Sequence, residues 1–280
     1  MAELTLAVFG DVVGRPGREA FTHAAAVARR DLGADLIIVN GENARHGRGL
    51  HPDGYRDLRD AGADAVTLGD HYLDDPRVVP LLLDAAEPVA RPVNGRGASG
   101  AETAVRLEAG QTSLWIITVL GRLFMREEVD DPIAAIDARV ETIVEREPDS
   151  LVLVEVHAEA TSEKIAAAWH CLERWPRRVV GVVGSHTHVP TADARILDGL
   201  LAAQTDLGMC GALRGVIGFA VDASLRRLRD QGPSGLKLAS EDPCAQGCLL
   251  RIDTDARAAT AIQTLSIHPD GLETAFAPSS

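Results

Sequence analysis

The chain has 280 residues, 46% of them hydrophobic and 25% charged, with a formal net charge of −13. That length and composition suit a folded protein with room for one large domain or two small ones, and they argue against wholesale disorder. The acidic balance argues against a duplex nucleic-acid binder, and no run approaches the ~18 consecutive apolar residues of a membrane helix.

The first strand is expected over Leu4–Gly10. It has no basic region, long apolar core or small-residue cleavage site, so a cytoplasmic protein is expected rather than a secreted one. Cys171, Cys210, Cys244 and Cys248 match neither a zinc-ribbon nor a CxxC spacing and read as reduced thiols. A helix follows over Gly17–Leu32, with Arg29 and Arg30 in its last turn, where cations suit the helix dipole. Leu36–Asn40 is an apolar run between two glycines and suits a buried strand.

A short helix is expected over Asp53–Ala61, a strand over Ala65–Leu68, a helical patch near Val78–Ala86 and a strand over Arg91–Asn94. Thr103–Leu107 and Leu114–Val119 flank Gly110 as a hairpin. Asp131–Pro132 carries an N-cap residue followed by proline at the first helical position, and Ile133, Ile136, Val140, Ile143 and Val144 give the helix one apolar face. Leu151–Val156 reads as a strand, Ser162–Arg174 as a helix, and Val179–Gly184 as a strand. Leu200–Asp206 and Gly247–Ile252 are further strands, the latter pairing with Ala259–Ile267 across Thr254–Arg257. Alternating strands and helices predict α/β layers, with one domain over residues 1–268 and a flexible tail over residues 269–280.

Several of these strands end in polar residues of one chemical kind. They exit into Gly10–Asp11, Gly41–Glu42–Asn43, Gly69–Asp70–His71 and Gly184–Ser185–His186–Thr187–His188, and a fifth runs into His157. The carboxyl ends of strands line the ligand crevice of an α/β sheet, so distant segments would converge there. Each piece alone is ambiguous, since His-x-His is often surface or core and Gly-Asp commonly caps a helix. Together they offer carboxylates, a carboxamide and imidazoles, which suit manganese, iron or zinc, in about the number that two metals need.

The motifs read GDVVGRPGR from Gly10, NGENARHGRGL from Asn40, LGDH from Leu68, RPVN from Arg91, GRLFM from Gly121 and DDP from Asp130. They continue with HAEATSEK from His157, GSHTHVPTAD from Gly184 and TDLGMCG from Thr205. In these motifs the chain resembles the YmdB-like family of calcineurin-like metallophosphoesterases, from Leu4 to about Leu228. The resemblance implies a four-layer sandwich of two stacked mixed β-sheets flanked by helices. It implies that Asp11, Asn43 and His188 hold one metal, that Asp70, His157 and His186 hold a second, and that Glu42 bridges them. It implies His71 as proton donor and a phosphodiesterase acting on cyclic nucleotides, 2′,3′-cyclic ones in particular. A metal-bridging hydroxide would attack phosphorus in line with the leaving ribose oxygen.

Two residues depart from the family pattern. Asp70 stands where the family has Asn, which adds a negative charge to the cage and predicts tighter metal binding, a water harder to deprotonate and weaker attraction for substrate. Cys210, where Thr is more usual, reads as a packing change. Arg45 and His46 are read as substrate contacts or as solvated loop, Asp206 as orienting a ligating histidine or capping a turn, and Glu159 and Glu163 as caps of the next helix. His23, His51, His170 and His268 have no motif context. A small phosphodiester or nucleotide is the expected partner, with homo-oligomerisation left open. The competing readings are a phosphomonoesterase with the same metals, a metal-bound regulatory protein with weak catalysis, and a metal-free nucleotide-binding sheet, which lacks its glycine fingerprint here.

Overall fold

The computed structural model describes residues 2–95, 103–110, 112–229 and 237–275. In chain order the elements are β1 (Glu3–Val12), α1 (Gly14–Arg30), β2 (Leu36–Asn40), α2 (Pro52–Asp60), β3 (Ala65–Thr67), a 3-10 turn over Pro76–Val78, α3 (Val79–Leu82) and β4 (Val89–Ala90). Then come β5 (Val105–Ala109), β6 (Thr112–Leu120), α4 (Pro132–Arg146), β7 (Leu151–His157), α5 (Thr161–Arg174) and β8 (Val179–Ser185). The chain continues with β9 (Arg195–Leu197), β10 (Leu201–Gln204), β11 (Met209–Ala212), α6 (Val221–Leu228), β12 (Pro243–Asp253), β13 (Ala258–His268) and β14 (Gly271–Ala275).

Among the described residues these strands form two mixed sheets. The first has the order β14-β13-β12-β11-β1-β2-β3-β4, and the second β5-β6-β7-β8-β10-β9. The period-two alternation of each strand explains why they stack. On β1, Leu4, Leu6 and Val8 join Leu36, Ile38, Leu151 and Leu153 in the apolar layer between the sheets. Ala7 and Phe9 turn the other way, onto Ala20, Phe21, Ala24 and Ala28 of α1. Phe9 and Phe21 meet edge to face with centroids 5.6 Å apart, and truncating either would cost about 3–5 kcal/mol. On β7, Val152, Val154 and Val156 face Ile136, Val140 and Ile143 of α4 and Ala167, Ala168 and Cys171 of α5. The result is helix, sheet, sheet, helix, the four layers that the resemblance implied. All four cysteines are buried free thiols, and Cys210 packs on β11 beside Val12. No helix among the described residues is long and apolar enough to cross a membrane.

Asp131 caps α4 as the sequence predicted, accepting from the N–H groups of Ile133 and Ala134. Other expectations shift. Arg91–Asn94 is not a strand: the pairing lies one step earlier, in β4, and Pro92, which has no N–H to give a ladder, makes only an isolated bridge to Thr118. The helical patch near Val78–Ala86 reduces to the 3-10 turn and α3. Helix α1 begins three residues before Gly17, because Gly14 adopts a φ of +60° and donates its N–H to Asn43 O at 2.9 Å. Where a free tail was expected from Pro269, Gly271–Ala275 pairs with β13. Residues 276–280 lie outside the described residues.

Candidate metal centre

Strand register brings the polar exits together. Asp11 sits opposite Asn40 in the parallel β1–β2 pair, and Asn40 opposite Thr67 in β2–β3, so the Asp11, Glu42 and Asp70 segments leave the first sheet side by side. In the second sheet His157 sits opposite Ser185, which puts His186 next to it. The two sheets present these ends at one edge. Ligand atoms of Glu42, Asp70, His157 and His186 all lie within 4.8 Å of one another.

His157 Nε2 lies 2.9 Å from Asp70 Oδ1, 3.2 Å from Glu42 Oε1 and 3.0 Å from His186 Nδ1. Gly69 permits this closeness, since a Cβ there would run into His157 Nε2 and Glu42 Oε2. Asp11, Asn43 and His188 form the neighbouring half. Asp11 Oδ1 stands 3.9 Å from His188 Nε2 and 3.9 Å from His157 Nδ1, beyond hydrogen-bonding reach. Asp11 Oδ1 and Asn43 Oδ1 are buried and, among the described residues, have no hydrogen-bond partner. Leaving such atoms bare costs about 1–3 kcal/mol each, more when charged. Two orphaned oxygens beside buried imidazoles are the donor set a cation would satisfy, so the residues fit a metal.

Outer contacts fix how two of the imidazoles are presented. His188 Nδ1 donates to the carbonyl of Ile217 at 3.1 Å, so Nε2 carries no hydrogen; it accepts from Asn43 Nδ2 at 3.3 Å and offers its lone pair on the side of Asp11. Ile217 presents that carbonyl from a φ of +46°, a strained conformation for a β-branched residue. His186 and His188 also have positive φ, +99° and +65°. His186 Nε2 lies 3.3 Å from Glu159 Oε2, which leaves Nδ1 for the cage.

Electrostatics follow the crowding. Burial pushes the Asp11 carboxyl up to about 8 against the opposing pull of His157. Burial also acts to raise Asp70, but hydrogen bonds from His157 and His186 outweigh it and hold that carboxyl well below the usual carboxylate range. Burial likewise acts to raise Glu42, and His157 outweighs it and holds the group low. Burial opposes charge on His157, yet Glu42 and Asp70 raise its pKa well above the ordinary value. Burial lowers His188.

His71 lies at the rim with its side chain 24% exposed, Nδ1 2.9 Å from Asp74 Oδ2, and its backbone N–H on Glu42 Oε2 at 3.0 Å. Asp206 acts through the chain between the two loop histidines: Oδ2 accepts from Thr187 Oγ1 at 2.9 Å and from Lys164 Nζ at 2.7 Å, and Oδ1 from Gly208 N at 2.9 Å. Glu159 and Glu163 do not cap α5, which lacks a side-chain cap; Glu163 instead accepts from the N–H groups of Arg122 and Leu123 at 2.8 and 3.1 Å. Arg45 pairs with buried Asp75 at 3.0 Å, and His46 is exposed. His51 has a structural use after all, accepting from Asp53 N at 3.0 Å to cap α2.

Sequence reasoning missed Asp74, Lys164, Ser185 and Glu155. Glu155 carried a signal: it is a carboxylate on the buried face of an otherwise apolar strand.

The family described as YmdB-like protein matches residues 7–265. The chain is 33% identical over 261 residues to the 2′,3′-cyclic-nucleotide 2′-phosphodiesterase of Bacillus subtilis (strain 168), covering 93% of this chain and 96% of that one. The crystal structure of a hypothetical protein from Thermus thermophilus superposes with a TM-score of 0.82 at 38% identity, covering 95% of this chain and 99% of that chain. That of a novel phosphatase from Mycoplasma pneumoniae gives a TM-score of 0.85 at 27% identity, over 96% and 94% of the two chains.

Proposed function

The chain belongs to the YmdB-like family, and from that premise we propose that it hydrolyses cyclic nucleotides, 2′,3′-cyclic phosphodiesters in preference, at a pair of metal ions. It is a hydrolase of phosphate esters. In this reading Asp11, Asn43 and His188 would hold one ion, Asp70, His157 and His186 would hold the other, and Glu42 would serve both. The all-N/O donor set suits iron or manganese, with zinc also accommodated. When bound, such ions activate water and offset charge developing on the phosphoryl oxygens. We place the protein in the cytoplasm.

The remaining work falls to the chain's own residues. His71 supplies the proton to the leaving ribose oxygen. Asp74 on its Nδ1 fixes the ring and leaves Nε2 as the exchanging atom, and the backbone bond from His71 to Glu42 keeps acid and cage in register. Glu159 and Ile217 O turn His186 and His188 so that one nitrogen of each is available.

The observation that carries the reading is the convergence of four ligand atoms within 4.8 Å beside two buried oxygens that have no hydrogen-bond partner among the described residues. It is tested by assaying the purified protein on 2′,3′-cAMP, bis-p-nitrophenyl phosphate and p-nitrophenyl phosphate, with manganese and with chelator. The expected result is metal-dependent cleavage with both diesters ahead of the monoester. Activity confined to the monoester, or undiminished by chelation, would overturn it.

A further inference from the structure

A carboxylate is buried between the sheets where the strand pattern calls for an apolar side chain. On β7, Leu151 and Leu153 face the inter-sheet layer, and Glu155 and His157 continue the same face. Glu155 is only 2% exposed. Such a group is expensive to bury and persists only when its hydrogen bonds are made.

They are made, and in one order. Glu155 Oε1 accepts from Asn40 Nδ2 at 2.7 Å and from Ser185 Oγ at 2.6 Å. Ser185 Oγ lies 2.8 Å from His157 Nδ1. A serine hydroxyl has one proton, and here it is spent on Glu155, so toward His157 the same oxygen can only accept. Nδ1 of His157 therefore carries the donated hydrogen, and Nε2 is the nitrogen that faces Glu42, Asp70 and His186. At the other end Asn40 Oδ1 accepts from Glu42 N at 3.0 Å. Asn40 closes the first sheet's β2 and Glu155 belongs to the second sheet, so the bond between them crosses the layer boundary.

We infer that Glu155 and Ser185 are positioning residues that fix the ring of His157 with Nε2 turned into the cage, and that Asn40 registers this relay against the loop carrying Glu42. The inference rests on the metal-binding reading above and extends it. Outer partners of a ligating histidine set its tautomer and orientation, and their loss typically costs about 10–100-fold in metal affinity. Within the relay Ser185 bonds only Glu155 and His157, so loss of its hydroxyl should be felt by the ion that His157 would hold, while the bond from Glu42 N to Asn40 stays in place. His188 has its own partner in Ile217 O.

The test is titration of the metal-free chain with manganese, following the electron paramagnetic resonance signal of the free ion, for the parent, Ser185→Ala and Ser185→Thr. The parent is expected to take up two ions. Ser185→Ala should bind one of them about 10–100-fold more weakly and the other unchanged, and should also lower the thermal midpoint of the metal-free protein, because it removes a hydrogen bond from buried Glu155 and from His157. Ser185→Thr, which keeps the hydroxyl, should restore the weakened ion. Should Ser185→Ala not fold, Glu155→Gln carries the test. It keeps the side-chain size, replaces a charge-assisted acceptor with a neutral one, and should weaken the same ion. A parent that binds two ions beside variants that bind both equally well overturns this inference alone. So does weakening of both ions alike, which would mean simple support of the fold. A parent that takes up no manganese overturns the metal reading and the inference with it.

Discussion

Lys164 Nζ sits 2.7 Å from Asp206 Oδ2 with both side chains shut off from solvent, at 3% and 2% exposure. The same Asp206 carboxylate holds Thr187 through its hydroxyl and backbone N–H, so the ion pair underlies the segment between His186 and His188. Removing one partner of a buried pair leaves the other charged and unpaired, which costs about 3–5 kcal/mol. Lys164→Met should therefore lower unfolding free energy by about that amount in urea denaturation, and adding Asp206→Asn should recover part of it. A Lys164→Met protein as stable as the parent would show that the pair carries little net energy.

His71 and Asp74 make the second prediction. A general acid contributes about 10²–10⁴-fold when the leaving group is a poor one, such as a ribose alkoxide. His71→Ala should lower kcat on 2′,3′-cAMP within that range while metal content is unchanged. On bis-p-nitrophenyl phosphate, whose nitrophenolate leaves without a proton, the loss should be much smaller. Equal losses on both substrates would assign His71 to the cage rather than to proton transfer.

How much of this was legible in the chain depends on what each residue was asked to do. Parallel strands buried on both faces read as apolar runs, and their exits into Gly10–Asp11, Gly41–Glu42 and Gly69–Asp70 pointed to the candidate site that strand register then brings together. The cap at Asp131 was equally plain. Strands β9 and β11 were not. They have three and four residues, too short for alternation to register, and β11 is set in place by contacts such as Val13 N on Cys210 O that no local pattern encodes. Nor was the relay through Ser185, because Asn40 and Glu155 are 115 positions apart and meet only once the sheets stack. Glu159 and Glu163 were misread as caps because carboxylates at a helix start suit its dipole whatever else they bind.

Asp70 stands where the family resemblance implies asparagine. Its Oδ1 stands 2.9 Å from His157 Nε2 and 3.3 Å from His186 Nδ1, so its charge is inside the cluster rather than at its edge. A unit charge about 4 Å away at an effective dielectric of about 20 is worth ~4 kcal/mol. Asp70→Asn keeps an oxygen ligand and removes that charge. We expect weaker manganese binding and a kcat near neutral pH raised about tenfold, the equivalent of ~1.4 kcal/mol in the barrier. Unchanged turnover and pH profile would refute the charge argument.

The final prediction concerns protons. Burial raises the Asp11 carboxyl from 3.8 to about 8 in the metal-free chain. A folded pKa above the unfolded one means that Asp11's stabilising contribution is present below about pH 3.8 and lost as pH climbs toward about 8. His157 acts in the same sense: Glu42 and Asp70 overcome burial and raise it, so its contribution is present below 6.5 and lost as pH rises through the folded value. Ligation requires both groups deprotonated, so each bound cation replaces protons. Through Asp11 and His157 rising pH weakens the metal-free fold while strengthening metal binding; His188, lowered by burial, acts on the fold in the opposite sense. Melting curves of chelated and manganese-loaded protein at about pH 5.5 and about pH 8.5 should show a metal-induced gain in Tm that is larger at the higher pH, and calorimetry in buffers of different ionisation enthalpy should show proton release on binding at the lower. A gain that is constant or shrinks with pH would mean that the buried carboxyl and imidazole are not where the protons are held.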